Sequence, residues 1–205
     1  MTMIKKHHTP KYILNRIRLF LYEKANPGQP WLTKDSIKLL NHLILPTDIG
    51  CEFGSGSSTF WLSKRCKHLT SIEHDYNWYS KVLSWTEKQN NIKLLYRGVT
   101  NGKEEHSSPY IEALNELEPS SLDFLLIDGK NRDLISLNSI SKIKDGGLIV
   151  LDNAERYLPN KYDIPSSIGQ KYQNSHWEEF DLKTSVFRRI WTTNGITSTL
   201  IIFKR

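Results

Sequence analysis

The chain has 205 residues, and its 28 Lys and Arg against 22 Asp and Glu leave a formal net charge of +6. At roughly 150 residues per domain, that length gives one domain with at most a short appendage, large enough to bury a core without staples. Six Trp, nine Tyr and seven Phe exclude a chain that is mainly disordered. The cations are spread without a Lys/Arg block, so nucleic acid is the lesser of the partner readings.

Two cysteines, Cys51 and Cys66, make neither a disulfide framework nor a cysteine-only metal site, and a reducing, cytoplasmic setting is the simpler expectation. The start MTMIKKHHTP leads into YILNRIRLFLYEK, which Asn15, Arg16 and Arg18 interrupt. No uninterrupted apolar run suits a cleaved signal or a membrane span.

Residues 11–24 and 34–45 read as helices. In the second, Ile37, Leu40 and Ile44 share a face, Thr33 is placed to cap, and Pro46 stops the run. Short apolar runs then recur at 48–53, 68–74, 92–96, 122–128 and 147–152, with helix-compatible stretches at 58–67, 77–89, 110–118 and 134–143. Such alternation predicts parallel βαβ units, and FLLI and LIVL suit strands buried on both faces. Beyond Asn153 the rhythm changes: 176–183 and 197–205 read as two late strands without a helix between them. The expected fold is α/β, a Rossmann-like doubly wound sheet of seven strands. It is mostly parallel with the last strand antiparallel, under an N-terminal helical cap.

The stretch CEFGSGSSTFWLSKRCKHLTSIEHD, residues 51–75, carries the first chemical signal. A strand ends in Glu52, a Gly54-Ser55-Gly56-Ser57 loop follows, and a helix begins. Glycines let the backbone approach a ligand, and the helix start adds unpaired N–H groups. Glu73, 19 residues beyond Gly54, ends the second strand, where a carboxylate can accept from ribose hydroxyls. The pattern points to an adenosine-containing ligand; the plainer alternative is a tight turn and a solvated strand end. Thr59 stands where a dinucleotide site has its third small residue, and Glu52 would repel a pyrophosphate but suits an ammonium.

E-x-G-x-G at the first strand, an acid ending the second and IDG ending the fourth resemble the class I S-adenosylmethionine-dependent methyltransferases. The likeness runs from about residue 30 to the C-terminus and is greatest to small bacterial members with a PWLT-like entry and EFGSG-ST. The expected division is a helical cap over residues 1–46 and a methyltransferase-like domain over 47–205. Glu52 and the loop Gly54, Ser55, Gly56, Ser57 and Ser58 would hold the methionyl end of S-adenosylmethionine, and Glu73 the ribose diol. His74 and the loop around Gly98 and Val99 would border adenine, and Asp128 would edge the same site. Gly50 departs from the bulky residue usual in the first strand and should loosen packing there.

Asp128, Asp152 and Asn153 fall at two further strand ends and are the candidates for orienting or deprotonating an acceptor hydroxyl, with Lys130 meeting any acidic group. The three oxygens suit a divalent cation such as Mg²⁺, and their spacing is similar to that of catechol-type O-methyltransferases. That family's lysine, however, is displaced here to Lys130 by Asn131, and metal independence is the preferred reading. The bland reading is that Asp128 orients backbone while Asp152-Asn153 holds a turn. Arg132, Arg156 and Tyr157 are further substrate candidates, although exposed cations more often meet surface carboxylates. The position after the fourth strand lacks an Asn/Asp-Pro-Pro-Tyr sequence, which counts against methylation of exocyclic base amines. Both cysteines lie in or just after the cofactor unit, so C5 methylation of cytosine lacks its nucleophile, and Cys51 reads as core.

Trp61, Trp78 and Trp85 read as core, whereas Trp31, after Pro-Gly-Gln-Pro, reads as part of a site mouth. The segment 155–175 is expected to help the cap cover the substrate side. His42, His68, His106 and His176 form no metal spacing and receive no role. The expected reaction is methyl transfer to a small-molecule hydroxyl. The alternatives are RNA methylation, an NAD-dependent oxidoreductase and a non-catalytic binding module.

Overall fold

A computed structural model describes residues 9–99 and 108–205; His106 and the first eight residues of the expected cap lie outside it. Two helices, α1 (Pro10–Ala25) and α2 (Lys34–Leu43), lead into the alternating region. Thr33 caps α2 by accepting from the Ser36 amide, as its position suggests. The elements then run β1 (Ile49–Phe53), α3 (Ser57–Ser63), β2 (His68–Glu73), α4 (Tyr76–Thr86), β3 (Ile92–Tyr96) and α5 (Pro109–Glu112). After them come β4 (Leu122–Ile127), α6 (Arg132–Ser139), β5 (Ile143–Asp152), α7 (Ser175–Lys183), β6 (Arg188–Thr193) and β7 (Ser198–Phe203).

All seven strands form one sheet in the order β3-β2-β1-β4-β5-β7-β6. The first five pair in parallel, with Phe53 level with Ile72 on one side and Ile127 on the other, and β7 runs antiparallel to both β5 and β6. Successive strand residues face opposite sides of a sheet, and both sides are covered. Phe124, Leu126, Leu148, Val150 and Ile201 join one core with α2 and α3. Leu125, Ile127, Ile149, Leu151, Leu200 and Ile202 join the other with Tyr110, Trp177 and Phe180. This explains the near-continuous apolar runs of β4 and β5.

Two expectations are corrected. Residues 176–183 are not a strand: they lie in α7, whose N-cap Asn174 accepts from the Trp177 amide. Trp177 and Phe180, three apart, are both fully buried, a helical spacing that two-residue alternation would have split. The missing strand is β6, RRIWTT, an edge strand paired only to β7 and carrying charge on its outer face, as edges do. Nor does Gly50 loosen the first strand. It is level with Phe124 of β4, whose ring stands where a side chain would be, and a β-carbon there would meet it at 2.0 Å.

Candidate functional site

The strand order reverses between β1 and β4, so the loops leaving those strands diverge and open a crevice at their carboxyl ends. A cavity of about 590 Å³ lies there. Its walls are the Gly54–Ser58 loop, Glu73–Asp75, Asn77, Trp78, Lys81 and Asp128–Gly129, with Trp31 and Trp85.

The loop takes its path from close contact with β4. Gly54 has φ +97°, a region that favours glycine, and a β-carbon on it would lie 2.7 Å from the Gly129 amide nitrogen. Gly56 is different: its backbone is extended, and a β-carbon would meet nothing nearer than Trp78 at 3.9 Å. That β-carbon would stand in the cavity. Trp78 donates its indole N–H to the Ser55 carbonyl at 2.7 Å and fixes the loop from α4.

Glu73 lies on the cavity wall, only 2% exposed. Its Oε2 accepts from both the amide and the hydroxyl of Ser55 at 2.9 Å. Its Oε1 accepts from the amides of His74 and Asp75 at 2.8 Å, and His74 Nδ1 lies 2.9 Å away. Burial works to raise its pKa, but these hydrogen bonds together outweigh it and hold the carboxyl below its usual range. Both oxygens are saturated, so a ligand hydroxyl must take the place of the Ser55 hydroxyl.

Glu52 sits beneath the loop rather than in the cavity. It is completely buried, and accepts from Ser58 Oγ and Ser71 Oγ at 2.8 and 2.7 Å and from Thr59 Oγ1. Burial pushes its carboxyl up to about 7, against those three hydroxyls. The direct ammonium contact expected of it has no surface on which to form; Glu52 ties β1, β2 and α3 together. Thr59, at the place of a third glycine, is thereby fixed inside the same knot. Gly98 also stays out of the cavity walls, its carbonyl accepting the Tyr110 amide, and Val99 packs against the core.

The acids beyond β4 and β5 are held by Arg132, which the sequence offered as a substrate contact or a partner of surface carboxylates. Arg132, its side chain 12% exposed, donates from Nε to the Gly129 carbonyl, from Nη1 to the Asp152 carbonyl and Asn153 Oδ1, and from Nη2 to the Asp128 carbonyl and Oδ1. Five contacts match the five donors of a guanidinium. Asp128 lies in the loop before α6, so no helical spacing signalled this pairing. Burial raises the Asp128 carboxyl, and Arg132 pulls against it. Asp152 is 3% exposed, accepts from Thr199 Oγ1 at 3.0 Å, and reaches none of the main cavities. Burial, and then the neighbouring Asp128, push it up to about 8; shut away from these cavities, it has no acceptor within reach to deprotonate. Asn153 adopts φ +53° and donates to Thr197 Oγ1; it holds a turn. Of the four candidate catalytic residues, only Asp128 reaches the main cavity.

These oxygens do not fit a resident divalent cation. Asp128 Oδ1 and Asn153 Oδ1 already face the Arg132 guanidinium, and Asp152 faces Thr199. Among the described residues no group of three or more His, Cys, Asp or Glu is placed to hold a metal ion.

Two further cavities adjoin the first. One, about 460 Å³, shares Gly129 with it and is lined by the exposed Lys130, by Arg132, by Tyr157 stacked on Trp177, and by His176 beside Asp133. The other, about 410 Å³, shares Trp31, Ser57 and Trp85 and is walled by Tyr22, Phe60 and two prolines. Trp61 is core as expected, but Trp78 and Trp85 line the cavity, which their helical positions did not reveal. Trp31 is 71% exposed and borders two cavities. Arg156 lies 3.6 Å from Glu155. Burial raises both cysteine thiols, that of Cys66 to about 11, which suits packing roles.

Neither family models nor curated proteins match the chain. Solved structures do. A methyltransferase-like protein from Silicibacter pomeroyi superposes with a TM-score of 0.59 at 15% identity, covering 86% of this chain and 89% of that one. A putative methyltransferase from Streptococcus mutans, solved in complex with SAH, gives 0.56 at 11% identity, covering 84% and 97%. A SAM-dependent methyltransferase from Aquifex aeolicus gives 0.52 at 10% identity, covering 91% and 96%. The chain therefore has the class I methyltransferase fold. Fold alone does not assign a reaction.

Proposed function

We propose that the protein is an S-adenosylmethionine-dependent methyltransferase acting on an oxygen of a small-molecule acceptor. One observation carries this reading: a glycine loop with an open face at Gly56 and the Glu73 carboxylate lie on the walls of one 590 Å³ cavity at the switch point of the sheet. The fold, and the SAH in the Streptococcus mutans structure, support it. Gly54, Ser55, Gly56, Ser57 and Ser58 would hold the methionyl end, Glu73 the ribose hydroxyls in exchange for Ser55, and Trp78 and His74 the remaining walls. Glu52 acts through the loop as a positioning residue.

The bound cofactor supplies a methyl group on a sulfonium, which leaves readily. The chain's own contribution is therefore to align the acceptor oxygen and exclude water. Asp128 lines the cavity with Oδ1 committed to Arg132, and its Oδ2 would orient an acceptor hydroxyl and take its proton. The Arg132 clamp supplies there the positive charge that a metal would otherwise bring, so the reaction is metal-independent. Lys130, exposed on the adjoining cavity, would meet an acidic substituent of the acceptor. A concave site of this size suits a small molecule more than an RNA strand.

Calorimetry with S-adenosylhomocysteine and NAD side by side tests the cofactor. Binding of the first and not the second is expected; NAD binding alone overturns the reading. Labelled S-adenosylmethionine offered with metabolite pools and with total RNA then tests the acceptor. Label mainly in RNA refutes the small-molecule assignment.

A further inference from the structure

Helix α1 is mounted the wrong way round for a helix that serves only the core. A surface helix normally turns its apolar stripe inward. Here Tyr12, Asn15, Leu19 and Tyr22 are the half-buried side: Tyr22 bonds to Gln29, Lys34 lies over the Tyr22 ring, and Asn15 packs on Gly195. No residue of α1 is fully buried. Ile13, Leu14, Ile17, Phe20 and Leu21 are instead 47% to 62% exposed. At about 100° per residue they cover one continuous arc of about 120° on the outer side. Lys11 and Arg18 flank that arc on one side, Arg16 flanks it on the other, and Lys24 lies at its end. All four are exposed, none forms an ion pair among the described residues, and Glu23 is the helix's one acid.

We propose that α1 docks on the surface of an anionic lipid bilayer, lying in the interfacial plane. An apolar stripe bordered on both sides by cations is the pattern for such a helix: the stripe enters the acyl boundary while Lys and Arg reach anionic headgroups. The same rim disfavours a second copy of the chain, which would bring cations against cations. No described helix is long and apolar enough to cross a membrane, so the association is peripheral. The inference stands apart from methyl transfer, because it rests on α1 and not on the cleft.

Co-sedimentation of the full chain with phosphatidylcholine vesicles, with and without phosphatidylglycerol, tests it. The protein is expected to pellet with the anionic vesicles only and to be released by salt. Each cation lost costs about fivefold in affinity, so Arg16→Glu with Arg18→Glu weakens binding more than tenfold on that basis. Ile17→Asp with Phe20→Asp abolishes it while the melting temperature stays unchanged. Failure to pellet with anionic vesicles overturns the proposal. So does a dimer in solution, detected by light scattering, that the Ile17→Asp, Phe20→Asp variant converts to monomer.

Discussion

Ser55 and Glu73 meet twice, through the backbone amide and the hydroxyl of the serine, both 2.9 Å from the same carboxylate oxygen. The loop after β1 is thus latched to the end of β2 across the floor of the cavity. Glu73→Ala should weaken S-adenosylhomocysteine binding by about 1–3 kcal/mol, the range for a lost hydrogen bond to a charged group. Ser55→Ala should change it by no more than a few-fold, because the serine hydroxyl is the group a ribose displaces. Calorimetry on the two variants checks the contrast. Equal losses from both would make the latch, not the carboxylate, the binding determinant.

The two loop glycines separate folding from binding. Gly54→Ala places a side chain at φ +97° and 2.7 Å from the Gly129 backbone, and should lower stability by 1 kcal/mol or more on the order of a strained left-handed residue. Gly56→Ala meets no protein atom within 3.9 Å, so its melting temperature should stay near wild type while ligand binding falls. Thermal unfolding with and without S-adenosylhomocysteine reads both effects at once.

Arg132 joins the ends of β4 and β5, and removing it leaves the half-buried Asp128 carboxylate, 33% exposed, without its counter-charge. Deleting one partner of a fully buried pair costs about 3–5 kcal/mol. Arg132→Met should therefore cost less than that, about 2–3 kcal/mol in denaturant unfolding, with the carbonyls of Asp128, Gly129 and Asp152 losing their donor as well. Arg132→Lys should recover only part, because one ammonium cannot reproduce five forked donors. Once an acceptor is found, wild-type activity should survive EDTA and show no recovery phase on addition of Mg²⁺. Abolition by the chelator would show that the guanidinium does not replace the cation.

What was legible in the sequence follows the length scale of each interaction. The parallel strands were readable because burial on both faces writes continuous apolar runs, as in Leu122–Ile127. The glycine loop was readable because Gly54 is forced by its own backbone. Residues 188–193 were missed because an edge strand with one neighbour has no such run, and α7 was misread because Phe180 and Leu182 alternate as in a strand, although Leu182 is exposed. The site was half legible. Glu52, Glu73 and Asp128 were found as strand-end acids, but their partners come from elsewhere: Ser71 from β2, Ser55 from the loop, and Arg132 from the next helix. Those pairings decide that Glu52 supports the loop, that Asp152 is shut away beneath the surface and that Asp128 alone of the candidate catalytic residues lines the cavity, and local pattern does not encode them.

The two carboxyls raised furthest predict an unusual pH profile. Glu52 and Asp152 are pushed to about 7 and about 8 from ordinary values of 4.5 and 3.8. Between those limits the folded state holds protons that the unfolded chain has released, so stability falls as pH rises through the window and levels off above about 8. The lowered Glu73 and Asp133 act in the opposite sense: their stabilisation is complete above the ordinary carboxyl range and is lost only as pH falls below it. Among the carboxyls the falling slope from pH 5 to 8 therefore comes from Glu52 and Asp152, with Asp128 and Asp48, also raised by burial, acting in the same sense. Each carboxyl contributes at most about 1.4 kcal/mol per pH unit. Glu52→Gln mimics the protonated acid, keeps acceptors and donors for Ser58, Thr59 and Ser71, and should flatten the part of the profile below about 7. The same variant should bind S-adenosylhomocysteine within a few-fold of wild type, because Glu52 has no surface in the cavity. Melting temperatures in closely spaced buffers, followed by calorimetry at neutral pH, measure both. A stability that rises across pH 5 to 8, or a large loss of binding in Glu52→Gln, would return this residue to direct contact with the ligand.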